Sequence, residues 1–127
     1  MRYKIHAWPV AFHPTFLAEF DKLEESVQDE LLAMTELLKV AGPWMKRPGA
    51  DTLTGSKHAN MKELRFDAAG GVWRVAYAFD PARKAILLVA GDKSGVSQKR
   101  FYRGLIAKAD QRFDEHLAAL RTTREAK

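Results

Sequence analysis

An α+β fold of order β-α-α-β-β-β-α is predicted for this chain: an N-terminal strand and helical hairpin, an antiparallel three-strand meander and a C-terminal helix. Three observations predict it. Phe16, Phe20, Leu23, Val27, Leu31, Met34 and Leu38 recur at helical spacing. Met61–Phe66, Val72–Phe79 and Ala85–Ala90 are strand-like runs joined by connections of hairpin length. From about Ser97 to Leu120 the spacing becomes helical again, with Leu105, Ala109, Phe113 and Leu120 along one stripe. With 127 residues, 46% of them apolar, the chain is expected to form a single domain over residues 1–127.

The elements follow in order. Tyr3–Ala7 alternates in polarity and reads as the first strand, with Pro9 and Pro14 bracketing its exit. His13 then caps a helix that has Pro14 at its first position. A capping box at Ser26-Val27-Gln28-Asp29 divides the helical segment into two helices, about 14–25 and 27–41, which pair as a hairpin. Gly42-Pro43 ends the second. Residues 43–60 hold Pro43, Pro48, Gly49 and Gly55 and read as one long loop. Gly70-Gly71 and Asp80–Lys84 turn the chain between the three strands. Ile86–Val89 is apolar at every position, as in a strand covered on both faces.

Strand alternation locates the candidate chemistry. Trp73, Val75, Tyr77 and Phe79 share one face, the natural core face, and leave Arg74 on the other among Val72, Ala76 and Ala78. Leu64 and Phe66 join the core, which turns Glu63 and Arg65 to the side of Arg74. Two arginines on one face need an anion between them. Glu63 supplies one by a purely structural route; a bound phosphate is the other reading, since guanidinium groups grip phosphate with paired hydrogen bonds. The arginines are expected on an exposed floor. Lys93 stands in the glycine-flanked loop Gly91–Gly95, and on helical geometry Tyr102 belongs with the core stripe of the last helix. Trp73 reads as core, and Trp44 has no assignment.

Charge supports the same side. Residues 1–61 carry 7 Lys/Arg and 8 Asp/Glu, whereas residues 62–127 carry 14 and 8. Between Lys93 and Arg112 stand Lys93, Lys99, Arg100, Arg103, Lys108 and Arg112 against Asp110 alone. Such asymmetry marks either a footprint for a polyanion or a solvated helix face. Cysteine is absent, which excludes disulfides, thiolate metal sites and cysteine nucleophiles and fits a reducing compartment. His6, His13, His58 and His116 lack metal-ligand spacing, and no phosphate-loop, dinucleotide or nucleophile-elbow motif occurs. No apolar run is long enough to span a membrane, so a cytoplasmic protein is expected.

Met61-Lys62-Glu63-Leu64-Arg65-Phe66, then Gly70-Gly71-Val72-Trp73-Arg74-Val75-Ala76-Tyr77, then Ile86–Lys93 resemble toxins of the RelE/ParE superfamily, in its phage-related HigB-like branch. The resemblance runs from about Pro14 to Leu117. It implies a RelE-like fold and the toxin of a type II toxin–antitoxin module, cleaving mRNA in the ribosomal A site without metal or other cofactor. It further implies a cognate helix-turn-helix antitoxin as partner. Arg65, Arg74 and Lys93 take the places of the catalytic basic residues, and Tyr102 that of a tyrosine stacking on RNA. Lys57, His58, Lys62, Lys99, Arg100 and Arg103 complete the expected RNA contacts. Two consecutive lysines are frequent in HigB-like relatives, whereas here Ser94 follows Lys93 and Lys99 is the next lysine. The reaction implied is attack of the 2′-hydroxyl on the adjacent phosphorus, with Lys93, Glu63 and His58 as proton-transfer candidates. Two other readings remain: a ParE-type inhibitor of DNA gyrase, and a non-catalytic nucleic-acid-binding module.

Overall fold

The computed structural model describes residues 7–125. Its elements are β1 (Val10–Phe12), α1 (Pro14–Phe20), α2 (Glu25–Ala41), a 3-10 turn (Gly42–Trp44), β2 (Ala50–Thr52), β3 (Lys62–Ala68), β4 (Gly71–Phe79), β5 (Ala85–Asp92) and α3 (Gln98–Glu125). One five-stranded sheet has the order β1-β5-β4-β3-β2, antiparallel except for the β1–β5 pair. The meander stands as the sequence predicts, and β5 lies inside the sheet.

Several boundaries differ from expectation. The strand expected at Tyr3–Ala7 lies almost wholly outside the described residues; the first described strand is Val10–Phe12, between the two prolines. The helix at His13 begins as read: His13 Nδ1 accepts the Thr15 amide at 3.1 Å and Pro14 occupies the first turn. It ends at Phe20 rather than near residue 25. The capping box is not used, because α2 starts at Glu25 with Glu24 at its N-cap and Ser26 already in the first turn. Gly42 ends α2 at φ 56°, a conformation that favours glycine. The Trp8 ring presses against the same glycine, where a Cβ would stand 2.4 Å from the indole nitrogen. Inside the supposed long loop, Ala50–Thr52 pairs with β3. Three residues are too few for periodicity to reveal.

Helices cover both faces of the sheet. On one, α1 and α2 bring Phe16, Val27, Leu31 and Leu38 onto Leu64, Val75, Tyr77 and Leu87. On the other, α3 lays Leu105, Ala109 and Phe113 over Met61, Ala76, Ala78, Ile86 and Leu88. Register shifts between Ala76 and Tyr77, so that Leu88 is the extra residue of a bulge in β5. Arg112 donates to the Leu88 carbonyl at 2.8 Å and forms a paired bridge to Glu19 at 2.8 and 2.7 Å, tying α3 to α1. That guanidinium holds the Glu19 carboxyl below its ordinary value. Arg112 therefore contributes nothing to an open basic face. The face that bears Arg74 is no exposed floor either, because α3 roofs it.

Candidate functional site

The strand alternation puts Glu63 and Arg65 of β3 on the side of Arg74, as expected, though under α3 rather than on an open floor, and the register sets Arg65 directly opposite Arg74 of β4. Like charges in that relation repel. Glu63 resolves the conflict: its carboxylate accepts from Arg65 Nη1 at 3.0 Å and lies 3.8 Å from Arg74 Nε. From the second turn of α3, Tyr102 donates its hydroxyl hydrogen to Glu63 at 2.8 Å and accepts from Arg74 Nε at 3.3 Å. Burial, and then the Glu63 carboxylate, push the Tyr102 phenol above its ordinary pKa. Arg74 also donates to the Trp73 carbonyl at 2.9 Å and is 5% exposed. Arg74 is thus fastened beneath α3, contrary to the expectation that it stands open to a ligand, because α3 crosses the small side chains flanking it.

Arg65 sits nearer the surface and lines an open groove of about 320 Å³. Glu63, Arg65 and Tyr102 form its floor, Lys99 and Gln98 of the first turn of α3 one wall, and Asp51 to Thr54 with Arg47 the other. β2 builds that second wall. Asp51 stands opposite Glu63 across the β2–β3 ladder, and two carboxylates facing each other would repel. Arg47 answers with Nε and Nη2 each 2.8 Å from Asp51 Oδ2, holding that carboxyl below its usual value. The groove therefore carries the cations Arg47, Arg65 and Lys99 against two acids. Its charge, its room for a single nucleotide and the ring of Tyr102 suit a phosphate joined to an aromatic base. Arg47, Asp51, Thr52 and Thr54 escaped the sequence reading, because only the unseen strand β2 brings the 47–54 segment here; Gln98, at the start of α3, carried no charge to single it out.

The other expected contacts separate into distinct places. Lys99, with Tyr102, lines the groove, while Arg100 and Arg103 lie exposed on the same half of α3. Lys93, at the end of β5, is outside the lining; its amide donates to the Val72 carbonyl at 2.8 Å. Lys62 shares the face of Leu64 and Tyr77, so it falls on the α1–α2 side of the sheet. Lys57 and His58 are bound to α3 instead: both pair with Asp114, His58 at 2.8 Å, while Ser56 bonds Asp110. The Asp114 contact raises the Lys57 pKa and Lys57 lowers that of Asp114. Tyr102 both packs on the α3-side core and lines the groove, so the core assignment and the groove assignment each describe part of it.

Comparison with known proteins agrees with this architecture. Residues 18–114 match the family model described as phage derived protein Gp49-like (DUF891). A protein of Mycobacterium tuberculosis (strain ATCC 25618 / H37Rv) named as a candidate toxin, HigB2, is 42% identical over 103 residues, 80% of this chain and 51% of that protein. A second from the same organism, named as the candidate toxin HigB3, is 43% identical over 100 residues, 79% of this chain and 85% of that one. The chain thus spans about half the length of the first relative. Among solved structures, an arginine-to-alanine double mutant of the E. coli toxin RelE in the free state matches with TM-score 0.58 and 14% identity, over 80% of this chain and 96% of that one. In fold the chain is similar to RelE; by sequence it belongs to the Gp49-like family of phage-derived proteins, with the HigB candidate toxins as its relatives.

Proposed function

We propose that this chain is the toxin of a toxin–antitoxin pair and an endoribonuclease acting on mRNA held in the ribosomal A site. The observation that carries this reading is the groove in which Arg65, Lys99 and the Tyr102 ring converge. In the proposed reaction the 2′-oxygen attacks the adjacent phosphorus and the bond to the 5′-oxygen breaks. A 2′,3′-cyclic phosphate forms, and the 2′ proton is removed while the leaving 5′-oxygen gains one. Negative charge grows on the phosphorus oxygens, and Arg65 with Lys99 would meet it; loss of one such donor costs about 2.7–4 kcal/mol. Tyr102 would carry a base on its ring. Arg74 acts through Tyr102 and Glu63 as a positioning residue, and Lys93, Arg100 and Arg103 as cations along the flanking RNA or ribosomal RNA.

Of the three proton-transfer candidates, Glu63 lines the groove whereas Lys93 and His58 do not. Without a histidine pair at the phosphate, chemistry on free RNA is expected to be slow. Positioning by the ribosome would supply the rest, an effect that reaches roughly 7–11 kcal/mol. The partner implied for control is a helix-turn-helix antitoxin.

The test is induced expression with mapping of mRNA 5′ ends. Growth arrest with new 5′-hydroxyl ends is expected, and Arg65→Ala is expected to lower scission roughly 10²–10³-fold and relieve the arrest. Arrest with intact transcripts would replace the nuclease reading with gyrase inhibition. Unimpaired growth with salt-sensitive RNA binding would leave a binding module.

A further inference from the structure

Gln98 opens α3, and Tyr102 follows one helical turn later, so the two side chains are neighbours on the face of α3 that lines the groove. Gln98 is exposed, and its carboxamide is the only side-chain amide among the described residues of that lining. The polar groups around it are already engaged. Tyr102 and Arg65 both bond to Glu63, while Asp51 accepts from Arg47 and from the Thr52 amide. Lys99 is a compact charge that suits a phosphate. Gln98 differs from all of these, because it holds a donor and an acceptor side by side in one plane.

We propose that Gln98 is the base-reading residue of this groove and that it selects adenine. The inference deepens the reading above and rests on it, since it takes the groove to hold RNA. A base stacked on the Tyr102 ring has its edge within reach of the side chain one turn earlier, and unpaired RNA bases are recognised by such edges. A carboxamide pairs with adenine through two hydrogen bonds at once: its oxygen accepts from the N6 amino group and its nitrogen donates to N7. Guanine offers two acceptors on that edge, which sets the amide oxygen against O6, and a pyrimidine has no N7. Stacking alone tolerates any base, and phosphate contacts carry no sequence information. Tyr102 and the cations therefore supply affinity, and Gln98 supplies the choice.

Fluorescence anisotropy of the full chain with labelled single-stranded RNA hexamers of adenosine, uridine or 7-deazaadenosine, at one fixed salt concentration, tests it. The adenosine hexamer is expected to bind about tenfold more tightly than the other two, since 7-deazaadenosine stacks like adenosine but lacks N7. Gln98→Ala should weaken the adenosine hexamer about tenfold and bring the three close together. Gln98→Glu, which keeps the acceptor and loses the donor, should remove the preference as well. An adenosine preference that survives Gln98→Ala, or that 7-deazaadenosine shares, comes from stacking and overturns the proposal, as does equal binding of the three by the wild type. Binding of none of them, or binding that Lys99→Ala leaves unchanged, removes RNA from the groove and overturns the proposal together with the reading beneath it. Intact transcripts on induction, beside an adenosine preference that Gln98→Ala removes, would end the nuclease reading and leave Gln98 its role.

Discussion

Tyr102 hands its hydroxyl hydrogen to one oxygen of Glu63 at 2.8 Å while Arg65 meets the other at 3.0 Å, so that one carboxylate joins α3 to β3. Glu63 is buried and stands between two arginines that would otherwise confront each other. Removing its charge leaves both guanidiniums uncompensated. Glu63→Gln is therefore expected to cost about 3–5 kcal/mol, read from urea unfolding. Tyr102→Phe should cost less, about 1–3 kcal/mol, since it leaves Glu63 its arginines. The double variant should lose less than the sum, because the two residues share one network. A Glu63→Gln loss below about 1 kcal/mol would show that the carboxylate is not the counterion it is drawn as.

Arg65 and Arg74 face each other across one register position yet differ in burial, and their substitutions should separate stability from activity. Arg65→Ala, at a half-buried position, is expected to cost about 1–3 kcal/mol through the hydrogen bond it removes from Glu63, while RNA scission by the still-folded chain falls roughly 10²–10³-fold. Arg74→Ala, at a buried position, should destabilise by about 3–5 kcal/mol, with loss of scission following loss of fold. Paired thermal melts and ribosome-dependent cleavage assays check this. Equal melting of the two variants would mean that α3 shields Arg74 less than the contacts with Tyr102 and Trp73 imply.

What the sequence made legible was whatever repeats. Alternation along β3 and β4 put Glu63, Arg65 and Arg74 on one face, and helical spacing placed Phe16, Leu31 and Leu38 in the core. Two things lay beyond periodicity. The layer above Arg74 depends on where α3 crosses, and alanines at 76 and 78 are equally consistent with a shallow open floor and with a surface for close helix packing. The wall at Asp51–Thr54 depends on a three-residue strand whose partner is distant in sequence. Counting cations had a related weakness: Arg112 and Lys57 add to net charge, but Glu19 and Asp114 consume them locally.

His13 gives the fold a pH dependence with a definite sign. Its Nδ1 accepts the Thr15 amide and its Nε2 lies 3.0 Å from Glu115, an arrangement suited to the neutral ring. Burial lowers its pKa below 6.5, outweighing the pull of Glu115. The unfolded chain therefore takes up the proton first as pH falls. The His13 contribution is complete above about pH 6.5 and is lost as pH drops through the lowered folded value. His13→Asn keeps a capping acceptor but not the titration. Relative to this variant, the wild-type urea midpoint should fall between about pH 7.5 and pH 5, while the two curves run parallel at higher pH. His13→Ala should cost about 0.5–2 kcal/mol even at high pH, the worth of the cap.

Gly91 continues the row of Arg65 and Arg74 into β5, standing opposite Arg74 in the register. Phe101 of α3 lies directly over it: a Cβ added there would come within 2.8 Å of the ring. This close approach sets the height of the first turns of α3, and hence of the next residue, Tyr102, above Glu63. Gly91→Ala is expected to lift that end of the helix at a cost of about 1–3 kcal/mol. Because Tyr102 and Lys99 move with it, scission on ribosomes should fall by more than the change in stability accounts for when assayed well below the melting temperature. Phe101→Leu in the Gly91→Ala background relieves the crowding and should recover most of both losses. If Gly91→Ala instead melts and cleaves like wild type, the first turns of α3 are not positioned by this contact, and Tyr102 is held over Glu63 by its hydrogen bonds alone.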